Sequence, residues 1–219
     1  MFETEIRIEF ISDWHVGSGL GSGPVADSIL NRDINGLPFI PGRAVKGALR
    51  EGAWRLGLCR KDLAALVNYF WGTASATRAS NQPGKLAAGS GRLPGELEDW
   101  LLAQNPVART QYVSDMTMIR YQTALAENGM VRPQSLRAIE CGIPGLFFTS
   151  QIAIDAPGLD QDWLAAYLAA VCATVKSIGA DRARGLGNCR IYPQNLKGRP
   201  AKVPGLLDVN LLRPAEVEQ

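Results

Sequence analysis

The sequence predicts an α+β fold in which helices cover one face of an antiparallel sheet. Three segments support this prediction: an alternating strand at the start of the chain, a helix beginning near Arg43, and a strand, helix and strand over 145–192. The order strand, helix, excursion, strand, helix, strand is that of a ferredoxin-like or RRM-like domain. We expect one inner strand of the sheet to come from the 111–140 region.

The composition is that of a globular protein close to electrical neutrality. The chain has 219 residues, of which 46% are hydrophobic and 20% charged, and its formal net charge is +2. Any nucleic-acid site must therefore come from local clustering of Lys and Arg. Four scattered cysteines and a charged N-terminus predict a cytoplasmic protein with reduced thiols. No apolar stretch reaches the roughly 20 residues that cross a bilayer, so we expect no membrane contact.

The first element is a half-buried strand. Residues 3–10 alternate charged and less polar side chains with a period of two. This pattern places Ile6, Ile8 and Phe10 on the core side of the sheet.

A glycine-rich loop follows the strand. Four glycines alternate within residues 17–23, next to the only histidine, His15. Such a run permits close approach of a ligand or another chain, although it also forms plain surface loops. The spacing does not match a dinucleotide-binding loop, and Pro24 interrupts the start of any helix there. A P-loop is excluded as well, because the Lys46-Gly47 pair lacks the Lys-Ser/Thr ending.

A basic helix follows the next turn. Pro41-Gly42 ends a short extended segment, and helical spacing of apolar residues begins at Arg43. Arg43, Lys46 and Arg50 fall three and four residues apart, so they share one face near the N-terminal end. Cations beside free backbone amides form a phosphate site, and the alternative is a solvated basic face.

The middle of the chain is less regular. A second helical segment covers 62–72, and 73–95 is Ala-, Ser- and Gly-rich with no period, which predicts a long flexible insertion. A short helix is expected over 96–104. From Gln111 onward, loose alternation on both sides of Asn128-Gly129 predicts a strand pair or hairpin.

The last third is the most regular part. An apolar strand over 145–154 precedes a helix over 160–177. The glycine-rich loop at 179–187 carries two arginines, and the final strand covers 188–192. An irregular tail is expected from Pro193 onward.

Three of these motifs together resemble the RAMP superfamily of CRISPR-associated proteins, which bind and process CRISPR RNA. They are residues 14–19 (WHVGSG), 37–50 (LPFIPGRAVKGALR) and 179–187 (GADRARGLG). Within that superfamily the chain is most similar to the backbone subunit, family seven, of type III effector complexes. Its Arg132–Arg137 segment points to the type III-D subtype.

The resemblance implies a subunit that coats the guide portion of CRISPR RNA in a helical stack, for antiviral defence. Its partners would be CRISPR RNA, target RNA and other RAMP subunits. The chain would form one RAMP domain over 1–219, with a palm at 1–72 and 141–193. An insertion and thumb would occupy 73–140, and a tail would follow at 194–219. The sheet face without helices would be free for single-stranded RNA.

The resemblance also assigns candidate site residues. Asp27, six residues before Asp33, corresponds to the aspartate that cleaves target RNA in those subunits. Guide phosphates would be held by five basic residues, Arg43, Lys46, Arg50, Arg182 and Arg184. His15 would contact RNA or tie the glycine loop to the sheet.

A single carboxylate is chemically sufficient for this reaction. RNA carries its own nucleophile, the 2′-hydroxyl, and cleaves when that oxygen, the phosphorus and the leaving oxygen align. Asp27 could position the hydroxyl or a divalent ion, while basic residues offset the developing charge. The sequence has no compact cluster of carboxylates and histidines, so a bound Mg²⁺ would be loosely held and partly hydrated.

Two other functions stay open at this point. The family often has Pro-Val shortly after the catalytic aspartate, whereas this chain has Ile29-Leu30, which favours a non-catalytic RNA-binding scaffold. An aspartate in a glycine-rich loop is also a common turn residue. The other alternative is a stand-alone CRISPR RNA processing endoribonuclease that uses His15 as its general base.

Overall fold

The computed structural model describes residues 1–23, 25–73 and 82–194. The strands are β1 Phe2–Phe10, β2 Leu86–Ala88, β3 Thr117–Gln122, β4 Arg137–Gly142, β5 Phe147–Ile154 and β6 Cys189–Gln194. The helices are α1 Gly42–Cys59, α2 Leu66–Trp71, α3 Gly95–Ala103, α4 Pro106–Asp115 and α5 Gln161–Thr174. None of the helices within these ranges is both long enough and apolar enough to cross a membrane.

A four-stranded antiparallel sheet in the order β2-β5-β1-β6 forms the centre of the fold. This is the strand order of the ferredoxin-like fold, so the predicted fold class is confirmed. Ile6, Ile8 and Phe10 of β1 are buried as predicted, on the face that α1 and α5 cover. The predicted α5 stripe is also buried, including Leu164 and Val171.

The prediction that one inner strand comes from the 111–140 region is wrong, because the inner strands are β5 and β1. The strand beside β5 is the edge strand β2, in which Leu86 lies opposite Ile154 and Ala88 opposite Ile152. The prediction of a flexible insertion over 73–95 is therefore wrong at Leu86–Ala88, which form strand β2. A three-residue Ala-rich strand shows no alternation, and only its distant partner reveals it. Residues 74–81 lie outside the described part of the chain.

The 111–140 region instead forms a separate hairpin, which the strand-pair prediction anticipated. β3 and β4 pair antiparallel from Thr117 opposite Gly142 to Gln122 opposite Arg137. The predicted strand start at Gln111 is corrected, because 111–115 complete α4. That helix has a sequence signal: Asn105 caps it by accepting from the Ala108 N–H at 2.9 Å, and Pro106 occupies its first turn.

The face of the sheet without helices is rich in carboxylates. Glu5, Arg7 and Glu9 alternate with the buried side chains of β1 and so lie on this face, as does Glu3. Arg7 and Glu9 form an ion pair of 2.8 Å, and the Tyr192 hydroxyl donates to Glu9. Carboxylates repel phosphate, so this face does not favour the single-stranded RNA expected there.

Candidate functional site

The loop between β1 and α1 lies along strand β4 of the hairpin. The Trp14 N–H donates to the Gly142 carbonyl at 3.0 Å, and the Asp27 N–H donates to the Ala138 carbonyl at 2.7 Å. Between them, the Glu140 N–H donates to the Ser28 carbonyl at 2.9 Å. The hairpin therefore positions the loop through backbone hydrogen bonds, which no side-chain pattern reveals.

Asp27 is exposed, with one carboxylate oxygen fixed by β4. Its Oδ2 accepts from the Ala138 N–H at 2.7 Å. Within the described part of the chain, its Oδ1 accepts no hydrogen bond, so that oxygen is available to a ligand. Asp33 differs, because its Oδ1 accepts from the N–H groups of Asn35 and Leu37 and closes a turn. Of the two aspartates, only Asp27 has the exposure that a catalytic role requires.

His15 is an interior residue, only 4% exposed. Its Nδ1 lies 2.6 Å from the Glu140 carbonyl oxygen, and its Nε2 lies 3.0 Å from the Ser28 hydroxyl. Since both ring nitrogens have partners inside the protein, the geometry favours the structural tie between loop and sheet. Direct contact of His15 with RNA is a prediction that remains untested, and the burial of the ring does not support it.

Glu140 is a central residue of the site that the sequence did not single out. Its side chain is 12% exposed, and its Oε1 forms a 2.5 Å ion pair with Arg32. Its Oε2 accepts from the Leu30 N–H at 3.0 Å. Glu140 thus holds both ends of the segment after Asp27, by its backbone at Ser28 and its side chain at Leu30. Its position on β4 opposite Ile119 could not be inferred without the strand register.

The two glycine-rich motifs meet in the structure. The Ala180 N–H donates to the His15 carbonyl at 2.8 Å, and the Gly187 N–H donates to the Asp13 carbonyl at 2.7 Å. Gly179 has φ +106°, and a Cβ there would lie 2.3 Å from the His15 carbonyl oxygen. Only glycine permits this approach. Backbone hydrogen bonds therefore join the two glycine-rich loops directly.

The basic residues divide into paired and unpaired groups. Arg182 forms an ion pair with Glu51 of α1, which also pairs with Arg55 at 2.6 Å. Arg184 donates to Gln122 of β3 at 2.7 Å. These contacts place the 179–187 loop between α1 and the hairpin.

The α1 cations are arranged differently. Arg43 and Arg50 are exposed, and Lys46 is half-buried. Among the described residues, none of the three has a carboxylate partner within ion-pair distance. Their charges are therefore free to meet anions, as the phosphate-site interpretation requires.

The donor set near Asp27 does not form a metal centre. No group of three His, Cys, Asp or Glu side chains within the described ranges could hold an ion. Cys141 of β4 does not supply a nucleophile either, because burial raises the pKa of its thiol to about 11. The chemistry available here is that of one carboxylate among hydrogen-bond donors and cations.

Several solved structures share this fold. A chain of the type III-B Cmr-beta complex bound to cognate target RNA matches with a TM-score of 0.68 and 11% identity, covering 88% of this chain and 97% of that chain. A chain of the apo Cmr-beta complex gives a TM-score of 0.62 at 11% identity and the same coverage, 88% and 97%. A chain of a type IV-B CRISPR complex gives 0.59 at 15% identity, covering 96% and 99%.

The sequence itself establishes the family. No curated protein matches the chain. The family model described as "RAMP superfamily" matches residues 7–190, which include all three motifs. The chain belongs to the RAMP superfamily.

Proposed function

We propose that this protein is an RNA-binding backbone subunit of a CRISPR effector complex that cleaves guide-paired target RNA through Asp27. The observation that carries the proposal is the junction of three motifs. The 179–187 loop contacts His15 on one side and Glu51 of α1 on the other. Guide phosphates would follow this junction, with Arg43, Lys46 and Arg50 on one side and Arg182 and Arg184 on the other.

The fixed carboxylate supports the catalytic part of the proposal. The hydrogen bond from the Ala138 N–H holds Asp27 Oδ2 and leaves Oδ1 to orient or deprotonate the 2′-hydroxyl. The nearby cations would offset charge on the phosphorane-like transition state. A Mg²⁺ ion, if one takes part, would have Asp27 as one ligand and water or phosphate oxygens as others. No step of the proposal depends on it.

The hairpin would act as the thumb that enters the guide-target duplex. Large apolar side chains are exposed toward its tip: Tyr121, Leu125, Met130, Val131 and Leu136. Apolar wedges of this kind unstack neighbouring bases. Because β4 also holds the Asp27 loop, a base displaced by the hairpin would leave its phosphate near the carboxylate. The type III-D subtype remains an expectation within this proposal.

The test uses the reconstituted complex with a labelled target RNA. Asp27→Asn keeps an oxygen acceptor for the Ala138 N–H and removes the charge, so we expect assembly and target binding to persist while cleavage falls at least 100-fold. Asp99→Asn, at an exposed position of α3, is the matched control and should cleave normally. Normal cleavage by Asp27→Asn in an intact complex would refute the catalytic assignment.

A non-catalytic scaffold is the second candidate. The observation in its favour is the same 2.7 Å hydrogen bond, which gives Asp27 a structural reason to be present. A scaffold predicts no cleavage by the wild-type complex but intact guide binding that Lys46→Ala weakens. The stand-alone endoribonuclease is not proposed, because both ring nitrogens of its required base, His15, are occupied.

A further inference from the structure

Helix α1 contains four glycines, and Gly47 differs from the other three. A Cβ at Gly42 would lie 2.5 Å from the Ala88 carbonyl oxygen, at Gly52 2.7 Å from that of Val171, and at Gly57 3.0 Å from the Ala64 Cα. Packing therefore explains those three. At Gly47, apart from the adjacent residues and the helix's own backbone, no described atom lies within 4 Å of the Cβ position. A glycine inside a helix is destabilising relative to alanine, so its presence here has no explanation within the described fold.

Gly47 lines an open groove on the outer side of α1. The groove has a volume of about 530 Å³, and its lining includes Gly47, Arg50, Trp54, Leu58 and Val67. Gly47, Arg50 and Trp54 are three and seven residues apart, so they share one face of the helix. Trp54 is 57% exposed, and no described aromatic ring stacks on it.

The groove holds one cation whose charge no carboxylate of the described residues offsets. Its lining carries one cation, Arg50, and one anion, Glu51. Glu51 already pairs with both Arg55 and Arg182, and Arg50 has no carboxylate partner among the described residues. An unpaired cation beside an exposed indole matches a ligand that carries both phosphates and flat bases.

We propose that this groove holds a segment of single-stranded RNA, with its backbone passing over Gly47 and one base stacked on Trp54. The missing Cβ lets the sugar-phosphate chain approach the helix, and Arg50 neutralises a phosphate between the two positions. The inference rests on the proposed function, since it extends RNA binding from the N-terminal turns of α1 to its middle. It adds Gly47 and Trp54 to the contacts.

Gly47→Ala tests the proposal because stability and binding should move in opposite directions. Alanine at an open helix position should raise the thermal unfolding midpoint by about 2–4 °C. The same methyl group should weaken binding of the full-length protein to a fluorescein-labelled oligouridylate by roughly ten-fold, since it blocks backbone approach. A lower midpoint would show that the protein itself fills this space. That result, or unchanged affinity, would overturn the proposal.

Substitutions of Trp54 test the groove proposal independently of Gly47. Trp54→Ala should weaken oligouridylate binding roughly ten-fold, whereas Trp54→Phe should retain most of the affinity because a ring remains for stacking. Trp100→Ala is the matched control: Trp100 is 47% exposed on α3, contacts Tyr112 and should leave binding unchanged. Equal affinities for Trp54→Ala and wild type would refute the stacking contact.

Lys46→Ala separates this inference from the proposed function. If wild type binds RNA and Lys46→Ala weakens binding while the Gly47 and Trp54 variants bind normally, the groove proposal alone fails. If wild type does not bind RNA, the proposed function fails. If the Gly47 and Trp54 variants bind RNA normally but no longer associate with further copies in light scattering, the groove is a protein interface and the RNA assignment is wrong.

Discussion

Nδ1 of His15 lies 2.6 Å from the carbonyl oxygen of Glu140, and this contact joins the first loop to the hairpin. A carbonyl oxygen only accepts, so Nδ1 carries the hydrogen of this contact, and Nε2 shares a second hydrogen bond with the Ser28 hydroxyl. The only histidine of the chain is thus a cross-link between segments 125 residues apart. Its position explains why a histidine lies beside the glycine motif without facing solvent.

His15→Ala should therefore act on stability first. Removing a buried ring with two hydrogen bonds should lower the free energy of unfolding by about 2–4 kcal/mol, measured by urea denaturation. Ser28→Ala removes one of the two partners and should cost only about 1 kcal/mol. If His15→Ala kept full stability and lost only RNA binding, His15 would be a contact residue and the structural assignment would be wrong.

Glu140 should be more costly to alter than its exposed neighbours on the hairpin. Glu140→Ala leaves Arg32 and the Leu30 N–H without their acceptor, so we expect a loss of about 2–4 kcal/mol in urea unfolding. Glu140→Gln keeps an oxygen for Leu30 and should cost less. A double-mutant cycle with Arg32→Ala should give a coupling energy of about 1 kcal/mol or more. Additive losses would show that the ion pair does not stabilise the protein.

The regular elements of the fold were predictable from local pattern. β1 shows period-two alternation, and α5 carries an apolar stripe at helical spacing, so burial imposes on each a signal that a single sequence displays. β2 could not be found this way, because Leu86–Ala88 is short and its only support is pairing with β5. α4 carries the helix-start signal Asn105-Pro106, but the loose alternation after Gln111 resembles a strand pattern although those residues complete the helix.

The parts of the site that consist of sequence motifs were predictable. The parts that depend on how the strands pair were not. The two glycine loops are recognisable as motifs, and the geometry at Gly179 gives the physical reason why they can meet. Nothing local distinguishes Glu140 from any other strand glutamate, so its role depends on the strand register. His15 stands out as the only histidine, but its burial depends on β4, which the sequence does not place beside it.

The cysteines should differ sharply in reactivity toward a disulfide reagent. Cys59 is exposed, while Cys141, Cys172 and Cys189 are buried. Burial raises the pKa of Cys141 to about 11 and that of Cys189 to about 12. A pH of 8 lies far below both pKa values, so Cys141 and Cys189 stay protonated. Only the thiolate reacts, so these two residues should react slowly. We expect one fast equivalent with native protein and four after denaturation. Fast native labelling in Cys59→Ser would contradict this assignment.

The unpaired cations of α1 should set the salt dependence of RNA binding. Each phosphate contact adds about 0.7 to the slope of log affinity against log salt concentration for single strands. Lys46→Gln should therefore lower the affinity for an oligouridylate and reduce that slope by about 0.7. Arg190→Gln is the control, because Arg190 lies opposite Glu9 on the carboxylate-rich sheet face and should not contact RNA. If Arg190→Gln reduced the slope as much as Lys46→Gln, the sheet face would bind RNA after all, and α1 would not be the principal phosphate contact.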